Sequence, residues 1–329
     1  MTGKIIIIGG GIAGISAKLK NRDAALIDEN PFLTMAPRIM DIVNGKSAEF
    51  PKIFRNLDYL GSVNNIDFQD MTVTMNLKKI QYEKLIIATG YSQKYDFIKG
   101  SKYIHGFSGI EDAVDLRNKL KGKKKVVIIG GGYLGIELAG QIENAEVIIL
   151  EAGKDILSGL PRKFAKLASE LLSKKGVRIE VESPVIEVKK NQVITEAKEY
   201  DSDITVFAGG FTGSLPPMNH EITTKNNKIV VNSYLQSVDY PDVYAAGDSM
   251  SVQDKFFPMS SIIARSSGIT AMENAMGNKI VFESNNFANI IRIGNNYFGT
   301  VGNIFVHGPL AHIIKEAAIA LSINHAKEI

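Results

Sequence analysis

The sequence predicts an α/β protein in which one strand–turn–helix unit occurs twice. A G-x-G-x-x-G motif marks the unit, formed first by Gly9, Gly11 and Gly14 and again by Gly130, Gly132 and Gly135. Each motif follows a run of β-branched residues, at 5–8 and 126–129. In such a unit the first glycine makes the turn, the second lets a diphosphate approach the backbone, and the third lets the helix pack on the strand. Because a phosphate at the helix N-terminus meets free amides, two dinucleotide sites are predicted.

An acidic residue ends the second strand of each unit. The runs 24–27 and 147–150 stop at Asp28 and Glu151, where a carboxylate can accept hydrogen bonds from ribose hydroxyls. A carboxylate at Glu151 would repel a 2′-phosphate, so the second site should prefer NADH to NADPH. Lys154 follows closely enough in the chain to soften that preference.

Composition narrows the class of protein. A chain of 329 residues allows about two domains, and 45% hydrophobic with 22% charged residues is typical of a soluble globular protein. The net charge of +3 gives no reason to expect a nucleic-acid partner, and the lysine-rich run 119–125 is interpreted as a solvated turn.

No segment reaches the roughly 20 apolar residues that span a bilayer, and the first strand begins too early for a signal peptide. We therefore expect a cytoplasmic protein, with peripheral contact at the inner face of the cell membrane left open.

Cysteine is absent from the chain. This excludes electron transfer through a protein disulfide or a reactive thiol. We also expect no metal centre.

The chain divides into two copies of one plan. The first copy, to about residue 106, contains a hairpin-like stretch at 63–77 and a strand at 84–88 that ends in Thr89-Gly90. The second copy opens with a helix at 110–120 and then contains the second motif, a helix at 161–175 and strands at 177–181, 185–188 and 204–208, the last ending in Gly209-Gly210.

A later segment indicates that the second copy is inserted into the first. The short strand at 243–246, ending in Gly247-Asp248, belongs to the plan of the first copy and is not needed by the second. The predicted fold therefore has two Rossmann-like, three-layer (ββα) dinucleotide-binding domains. The first is discontinuous, at 1–106 and 238–285, and the second lies at 107–237. A strand and helix segment at 286–329 would form a dimer or acceptor interface.

These features resemble the two-dinucleotide flavoprotein reductases, the pyridine nucleotide-disulfide oxidoreductase superfamily that includes glutathione reductase, ferredoxin reductases, sulfide:quinone reductase and type II NADH dehydrogenase. Besides the glycine motifs, the resemblance rests on LIIATG at 85–90, IEDA at 110–113 and AAGD at 245–248. Within the superfamily, the segments 31–45 and 291–310 are similar to type II NADH dehydrogenase.

The resemblance implies FAD, tightly bound, in the first site and NADH, with NADPH less favoured, in the second. The FAD site would comprise Gly9, Gly11, Gly14, Asp28, Glu29, Pro37, Val63, Thr89, Gly90, Gly247, Asp248, Ser261 and Ile262. The NAD site would comprise Gly130, Gly132, Tyr133, Gly135, Glu151, Gly209 and Gly210. In the superfamily, the Val63 position bonds adenine through its backbone and the Asp248 position holds the ribityl end of the diphosphate, although a plain turn aspartate is the alternative for Asp248. A helix from about Ser260 to Met276 would direct its N-terminus at the flavin.

Three residues are implied in catalysis. Glu137 matches the Gly-x-Glu of relatives, in which this carboxylate lies close to flavin and nicotinamide. Tyr133 stands where several relatives place an aromatic gate over the flavin; packing between helix and sheet is the alternative. Arg38 is the candidate partner of Glu137, from its position alone, and an ordinary surface arginine is the alternative.

The electron acceptor is less well defined. Type II NADH dehydrogenases carry an Ala-Gln pair lining the quinone site, where this chain has Ser261-Ile262. The last helix, at about 310–326, has an apolar face formed by Ile313, Ile314, Ala317, Ala318, Leu321 and Ile323. This face favours packing on the protein body or on a homodimer partner over contact with a membrane.

Three functions remain open at this point. The first is an FAD-dependent NADH dehydrogenase that reduces a small quinone-like acceptor. The second is a reductase for a small redox protein such as a ferredoxin or rubredoxin. The third is a nucleotide-binding redox sensor with little turnover.

Overall fold

The computed structural model describes residues 4–122, 124–284 and 288–329. The first three residues, Lys123 in the lysine-rich run and the expected domain boundary at 285/286 lie outside the described residues.

The first part of the chain builds most of a parallel sheet around the first glycine motif. Its elements are β1 (Ile5–Ile8), α1 (Ile12–Lys20), β2 (Ala25–Asp28), β3 (Phe32–Thr34), α2 (Ala36–Val43), β4 (Lys52–Phe54), β5 (Tyr59–Leu60), β6 (Val63–Asp67), β7 (Thr72–Met75), β8 (Lys78–Gln81), β9 (Lys84–Ile87) and β10 (Tyr91–Ser92). The expected hairpin at 63–77 is the first part of a three-stranded antiparallel sheet, β6-β7-β8. Its inward residues Ile66, Val73 and Ile80 share a core with the parallel strands.

The second part repeats this arrangement. Its elements are β11 (Ile104–His105), α3 (Ile110–Lys119), β12 (Lys124–Ile129), α4 (Tyr133–Gln141), β13 (Ala145–Leu150), α5 (Arg162–Lys174), β14 (Arg178–Glu180), β15 (Val185–Lys189), β16 (Gln192–Thr195), β17 (Glu199–Asp201), β18 (Ile204–Phe207) and β19 (Thr212–Gly213). The strands β11-β18-β12-β13-β14 form a five-stranded parallel sheet, and β15-β16-β17 form the antiparallel layer. Val188, Val193 and Tyr200 of that layer pack against the parallel sheet. The predicted three-layer α/β class is confirmed.

The chain then returns to the first sheet. The remaining elements are β20 (Thr224–Lys225), β21 (Lys228–Val231), β22 (Val243–Ala245), β23 (Met250–Val252), α6 (Ser261–Ala275), β24 (Ala288–Ile293), β25 (Asn296–Val301), β26 (Ile304–His307) and α7 (Gly308–Ala326). Strand β22 pairs in parallel with β9, so that Ala245 lies opposite Ile87, and the first sheet has the order β22-β9-β1-β2-β5. This return is what an insertion requires, while the residue boundaries of the domains stay a prediction.

The C-terminal segment packs on both halves of the protein. Ile291, Ile293 and Phe298 join the core on the helical side of the second sheet. Ile319 of α7 is buried in a separate cluster that also contains Ile15 of α1. The segment therefore bridges the two nucleotide-binding units.

Only part of the apolar face expected on α7 packs on the body of the protein, and packing of the rest on a homodimer partner stays a prediction. Ile313 and Leu321 are each 64% exposed, whereas Ala311, Ile319 and Ala326 are buried. These three buried residues are eight and seven positions apart, about two helical turns each, so they lie along one side of α7. Across the described residues, no helix combines the length and apolarity needed to cross a membrane.

Candidate active site

The first glycine loop has the geometry that the motif predicts. Gly9 adopts φ +96°, and a Cβ there would overlap the backbone of Ala88, just beyond β9. A Cβ at Gly14 would overlap the carbonyl oxygen of Gly9, because α1 begins directly against the turn. By contrast, a Cβ at Gly11 would meet no atom within 4 Å. The open side of Gly11 is the cradle into which a diphosphate can fit.

The second glycine loop reproduces each of these contacts. Gly130 adopts φ +109° and lies against Ala208 at the end of β18. Gly135 lies against the carbonyl oxygen of Gly130, and a Cβ at Gly132 would again meet nothing within 4 Å. The two loops thus share the same backbone conformation at the first glycine and the same close contacts at the first and third glycines.

The two strand-end carboxylates are tied to their loops. Oδ2 of Asp28 accepts a hydrogen bond from the Gly10 amide at 2.5 Å, and Oε2 of Glu151 accepts one from the Gly131 amide at 2.6 Å. Glu151 also accepts from the Gly153 amide at 2.7 Å. Each carboxylate therefore lies beside the diphosphate cradle, where the ribose of a dinucleotide is expected.

The remaining residues of the expected FAD set come from several different segments of the chain. The hydroxyl of Ser249, which the sequence did not single out, accepts from the Gly90 amide at 2.8 Å. Thr89 donates to the carbonyl oxygen of Ser214. Glu29 accepts from the hydroxyl of Ser62 at 3.0 Å. Val63 begins β6 and Pro37 lies in the first turn of α2.

Asp248 provides a test of whether an FAD-sized group fits the first site. Burial raises the pKa of its carboxyl to about 6, against the opposing charge of Lys228. No hydrogen bond to this carboxylate comes from a residue that the structure describes. Gly247 before it adopts φ +64° and donates its amide to Ser267 of α6 at 2.8 Å. A partly buried carboxylate without a donor can accept hydrogen bonds from a ligand that carries hydroxyl groups, so the residues fit the expected cofactor.

Helix α6 begins beside this acidic turn. Its cap, Ser260, accepts from the amide of Ile263 at 3.3 Å, and Gly268 lies so close to Ala13 that a Cβ would overlap the backbone of α1. Ser261 and Ile262 occupy the first turn, with Ile262 38% exposed. The dipole of α6 toward the flavin stays a prediction.

Glu137 has a partner that the sequence did not reveal. Its Oε1 accepts hydrogen bonds from the ammonium of Lys315 on α7 and from the backbone N–H of Arg292 on β24 at 2.8 Å. The guanidinium of Arg292 in turn bonds Asp41 at 2.6 Å. The carboxylate two residues after the third glycine is therefore joined to the C-terminal segment.

The expected pairing of Arg38 with Glu137 is wrong. Arg38 bonds both carboxylate oxygens of Glu316, at 3.2 and 2.5 Å, and lies 3.7 Å from Asp41. The physical reason is that α7 places Glu316 against α2 and, one residue earlier, directs Lys315 at α4. A catalytic role for Arg38 has no contact to support it.

Tyr133 opens α4 and is 40% exposed. Partial burial and the nearby Glu137 carboxylate raise the pKa of its hydroxyl to about 12. The ring is thus neutral at physiological pH and accessible, and its role as a gate stays a prediction.

Two glycine-rich strand–turn–helix units, each in its own parallel sheet, with the chain returning to the first sheet after the second unit, define the class of two-dinucleotide oxidoreductases. The profile of the pyridine nucleotide-disulphide oxidoreductase family matches residues 3–277. The chain belongs to this family, and it is a pyridine-nucleotide-dependent flavoprotein oxidoreductase that lacks any cysteine.

Comparison with individual proteins agrees with this assignment. The demethylphylloquinone reductase NdbB of Synechocystis sp. is 26% identical over 299 residues, which cover 76% of this chain and 72% of the relative. An NADH oxidase of Streptococcus pyogenes is 28% identical over 324 residues, covering 83% and 71%. Among solved structures, NDH2 of Plasmodium falciparum in complex with NADH matches 99% of this chain and 97% of its own, with a TM-score of 0.85 and 16% identity. At that identity the structural match concerns the fold.

Three residues at this site were missed by sequence reasoning: Arg55, whose guanidinium lies 3.1 Å from the Asp28 carboxylate, Ser249 and Lys315. None lies in a motif. Arg55 and Lys315 reach the site through tertiary packing from segments distant in sequence, and no spacing in the chain signals those contacts. Ser249 directly follows Asp248, so its place beside the Gly-Asp turn was a signal that could have identified it.

Proposed function

We propose that the protein is an FAD-dependent NADH dehydrogenase that takes hydride from NADH and passes two electrons to a small quinone-like acceptor. The observation that carries the proposal is the presence of two intact dinucleotide loops in a chain without cysteine. With no thiol to receive electrons, they must leave from the flavin itself. Bound FAD supplies the hydride acceptance and the two-electron storage, and the protein supplies binding and orientation.

The second loop supports NADH as the electron donor. Glu151 is fixed by two amide hydrogen bonds beside the diphosphate cradle. A 2′-phosphate at the neighbouring ribose would meet this carboxylate, and like charges in contact are unfavourable. The open side of Gly132 lets the NADH diphosphate approach the N-terminus of α4.

Two features support a quinone-like acceptor. One is the name of a similar protein, the demethylphylloquinone reductase NdbB of Synechocystis sp., which states a quinone as its substrate. In this chain, Ile262 offers an exposed apolar side chain in the first turn of α6. An apolar ring can pack there although the glutamine of the quinone-site pair is absent.

The Glu137–Lys315 pair fits the proton requirement of this reaction. Reduction of a quinone to a quinol consumes two electrons and two protons, whereas hydride carries two electrons with one proton, so one further proton must come from solvent. Lys315 carries donatable protons and is held by Glu137 and by the carbonyl oxygen of Ile290 at 3.3 Å. We propose that this pair passes the solvent proton toward the acceptor.

A panel of electron acceptors tests the proposal. NADH oxidation is measured side by side with a water-soluble quinone, oxygen, a ferredoxin and ferricyanide, and each assay is repeated with NADPH. We expect the quinone to give the highest kcat/KM among the three biological acceptors, and NADH to exceed NADPH. A higher kcat/KM with ferredoxin would favour the redox-protein reductase instead, and no turnover with any acceptor would favour the sensor.

A further inference from the structure

Arg55 lies beneath the first glycine loop, immediately after β4. Its side chain is 2% exposed, and its Nη2 lies 3.1 Å from Oδ2 of Asp28. The same nitrogen donates to the carbonyl oxygen of Asn30 at 3.0 Å, and Nη1 donates to the carbonyl oxygen of Gly10. A buried cation is therefore placed directly beside the cradle of the first site.

In the second site, an aliphatic side chain occupies the position that corresponds to Arg55. A Cβ at Gly10 would lie 2.7 Å from Cζ of Arg55, and a Cβ at Gly131 would lie 2.7 Å from Cγ2 of Ile156. The carbonyl oxygen of Gly131 accepts from the backbone N–H of Leu157 at 2.8 Å, which replaces the guanidinium donor. Arg55 and Ile156 are thus equivalent in place but differ by a full charge.

This difference changes the charge that a dinucleotide meets. Asp28 and Arg55 cancel each other beside the first cradle, whereas Glu151 has no ion pair with any residue in the described ranges. A diphosphate carries two negative charges, so the first site receives it without an uncompensated carboxylate. Because buried charges are screened by salt much less than exposed ones, the difference persists at physiological ionic strength.

The surroundings of Arg55 indicate a role beyond packing. Its Nε is buried and has no hydrogen-bond partner among the described residues. Burial lowers the pKa of the guanidinium, and the Asp28 carboxylate opposes that change. Holding a cation in such a place is costly when an aliphatic side chain serves the equivalent position in the second loop.

We propose that Arg55 is the positioning residue that makes the first site a retaining site for FAD, by cancelling the charge of Asp28 beside the diphosphate cradle. The equivalent Ile156 leaves the second site able to release its dinucleotide after each turnover. The inference rests on the proposed function in assigning FAD to the first site.

The test compares FAD affinity between variants that keep or remove the charge. FAD is stripped from the wild-type protein and from Arg55→Lys, Arg55→Gln and Arg55→Met, and the dissociation constant for added FAD is measured from flavin fluorescence. Arg178→Met, at an exposed arginine paired with Glu180, is the matched control. NADH affinity of the same stripped proteins reports on the second site.

We expect the dissociation constant for FAD to rise at least about 30-fold in Arg55→Met and Arg55→Gln, since truncating one partner of a buried charge pair has an effect of that order. Arg55→Lys should retain most of the affinity, and NADH affinity should not change in any variant. The rise in melting temperature that saturating FAD produces should shrink in the two uncharged variants, whatever the stability of the stripped protein.

Two results would overturn the inference. One is an Arg55→Gln protein with wild-type FAD affinity; the other is a failure of both uncharged variants to fold without FAD, which would make Arg55 a structural residue. If the wild-type protein itself binds no FAD, the proposed function is refuted. The difference in charge between the two glycine loops does not depend on that result.

Discussion

Lys315 on α7 donates a hydrogen bond to Glu137 on α4, across 178 residues of sequence. Near the other end of α7, Nε2 of His325 lies 2.9 Å from the hydroxyl of Ser16 on α1. Helices α1 and α4 are the two that begin at the glycine motifs. One C-terminal helix therefore bonds to both dinucleotide-binding helices, and it brings an ammonium to the acidic residue expected beside the flavin.

Replacing Lys315 should slow the oxidation of the reduced flavin by quinone and leave its reduction by NADH nearly unchanged. In Lys315→Met, we expect reoxidation of the reduced flavin by a quinone to slow by about 100-fold, because a positioned proton donor contributes on that order. Flavin reduction by NADH should change by less than about threefold, since hydride transfer does not consume that proton. Stopped-flow absorbance measures both steps. Lys327→Met, at an exposed lysine just beyond α7, is the control; equal slowing of both steps by Lys315→Met would contradict proton delivery.

Arg38 should matter to stability and not to hydride transfer. Arg38→Ala removes the two-pronged contact with Glu316, and we expect the free energy of unfolding to fall by about 1 kcal/mol, the upper range for a partly exposed ion pair. Urea unfolding measures this loss, and Glu316→Gln combined with Arg38→Ala gives the coupling between the two residues. The rate of flavin reduction by NADH should be unchanged; a tenfold decrease would restore a catalytic role for Arg38.

Asp248 should make the FAD-free protein less stable as the pH rises. Its pKa is raised from 3.8 to about 6 by burial, so between these values the folded state binds a proton that the unfolded state has lost. Stability then falls across this window, by about 1.4 kcal/mol for each unit of the shift. The fall should disappear in Asp248→Asn and persist in Asp254→Asn, an exposed control. Urea midpoints of the stripped proteins at several pH values provide the measurement, and identical profiles for wild type and Asp248→Asn would contradict the assignment.

Glu151 should set the choice between NADH and NADPH. In Glu151→Gln the charge that opposes a 2′-phosphate is removed while a side chain of the same size remains. We expect the ratio of kcat/KM for NADPH over NADH to rise by about tenfold or more. Steady-state kinetics with ferricyanide measure the ratio, with Glu143→Gln, an exposed site, as the control. No change in the ratio would remove Glu151 from nucleotide selection.

Substitution of the second and of the third glycine of the second motif should have different effects on stability and on NADH binding. Gly135→Ala places a Cβ onto the carbonyl oxygen of Gly130, so we expect a loss of about 1–3 kcal/mol in stability. Gly132→Ala places its Cβ in open space, so the protein should melt normally and keep its FAD while NADH affinity falls by about tenfold. Thermal melts and NADH titrations distinguish the two, and unchanged NADH affinity in Gly132→Ala would argue against a diphosphate in that cradle.

The fold was predictable wherever a local pattern determines it. The β-branched runs before Gly9 and Gly130 and the acidic ends of β2 and β13 are short-range signals, and the structure places them as expected. Even the return of β22 to the first sheet followed from a short strand that the second copy did not need.

Long-range ion pairs were not predictable in this way. The Glu137–Lys315 bond depends on how α7 is rotated, and α7 carries apolar side chains around most of its circumference. Periodicity then gives no unique inward face, so it could not show that Ile313 and Leu321 lie on the side of α7 that faces away from the body of the protein. Arg55 was missed for a related reason: only the three-dimensional equivalence of Gly10 and Gly131 reveals its significance.

The central claim is that electrons enter at the second loop and leave from the flavin of the first without a thiol. Anaerobic addition of one equivalent of NADH to the purified protein tests it most directly, followed by addition of a soluble quinone. We expect the flavin absorbance to bleach fully with NADH and to return with the quinone. A flavin that stays oxidised in excess NADH would contradict the account.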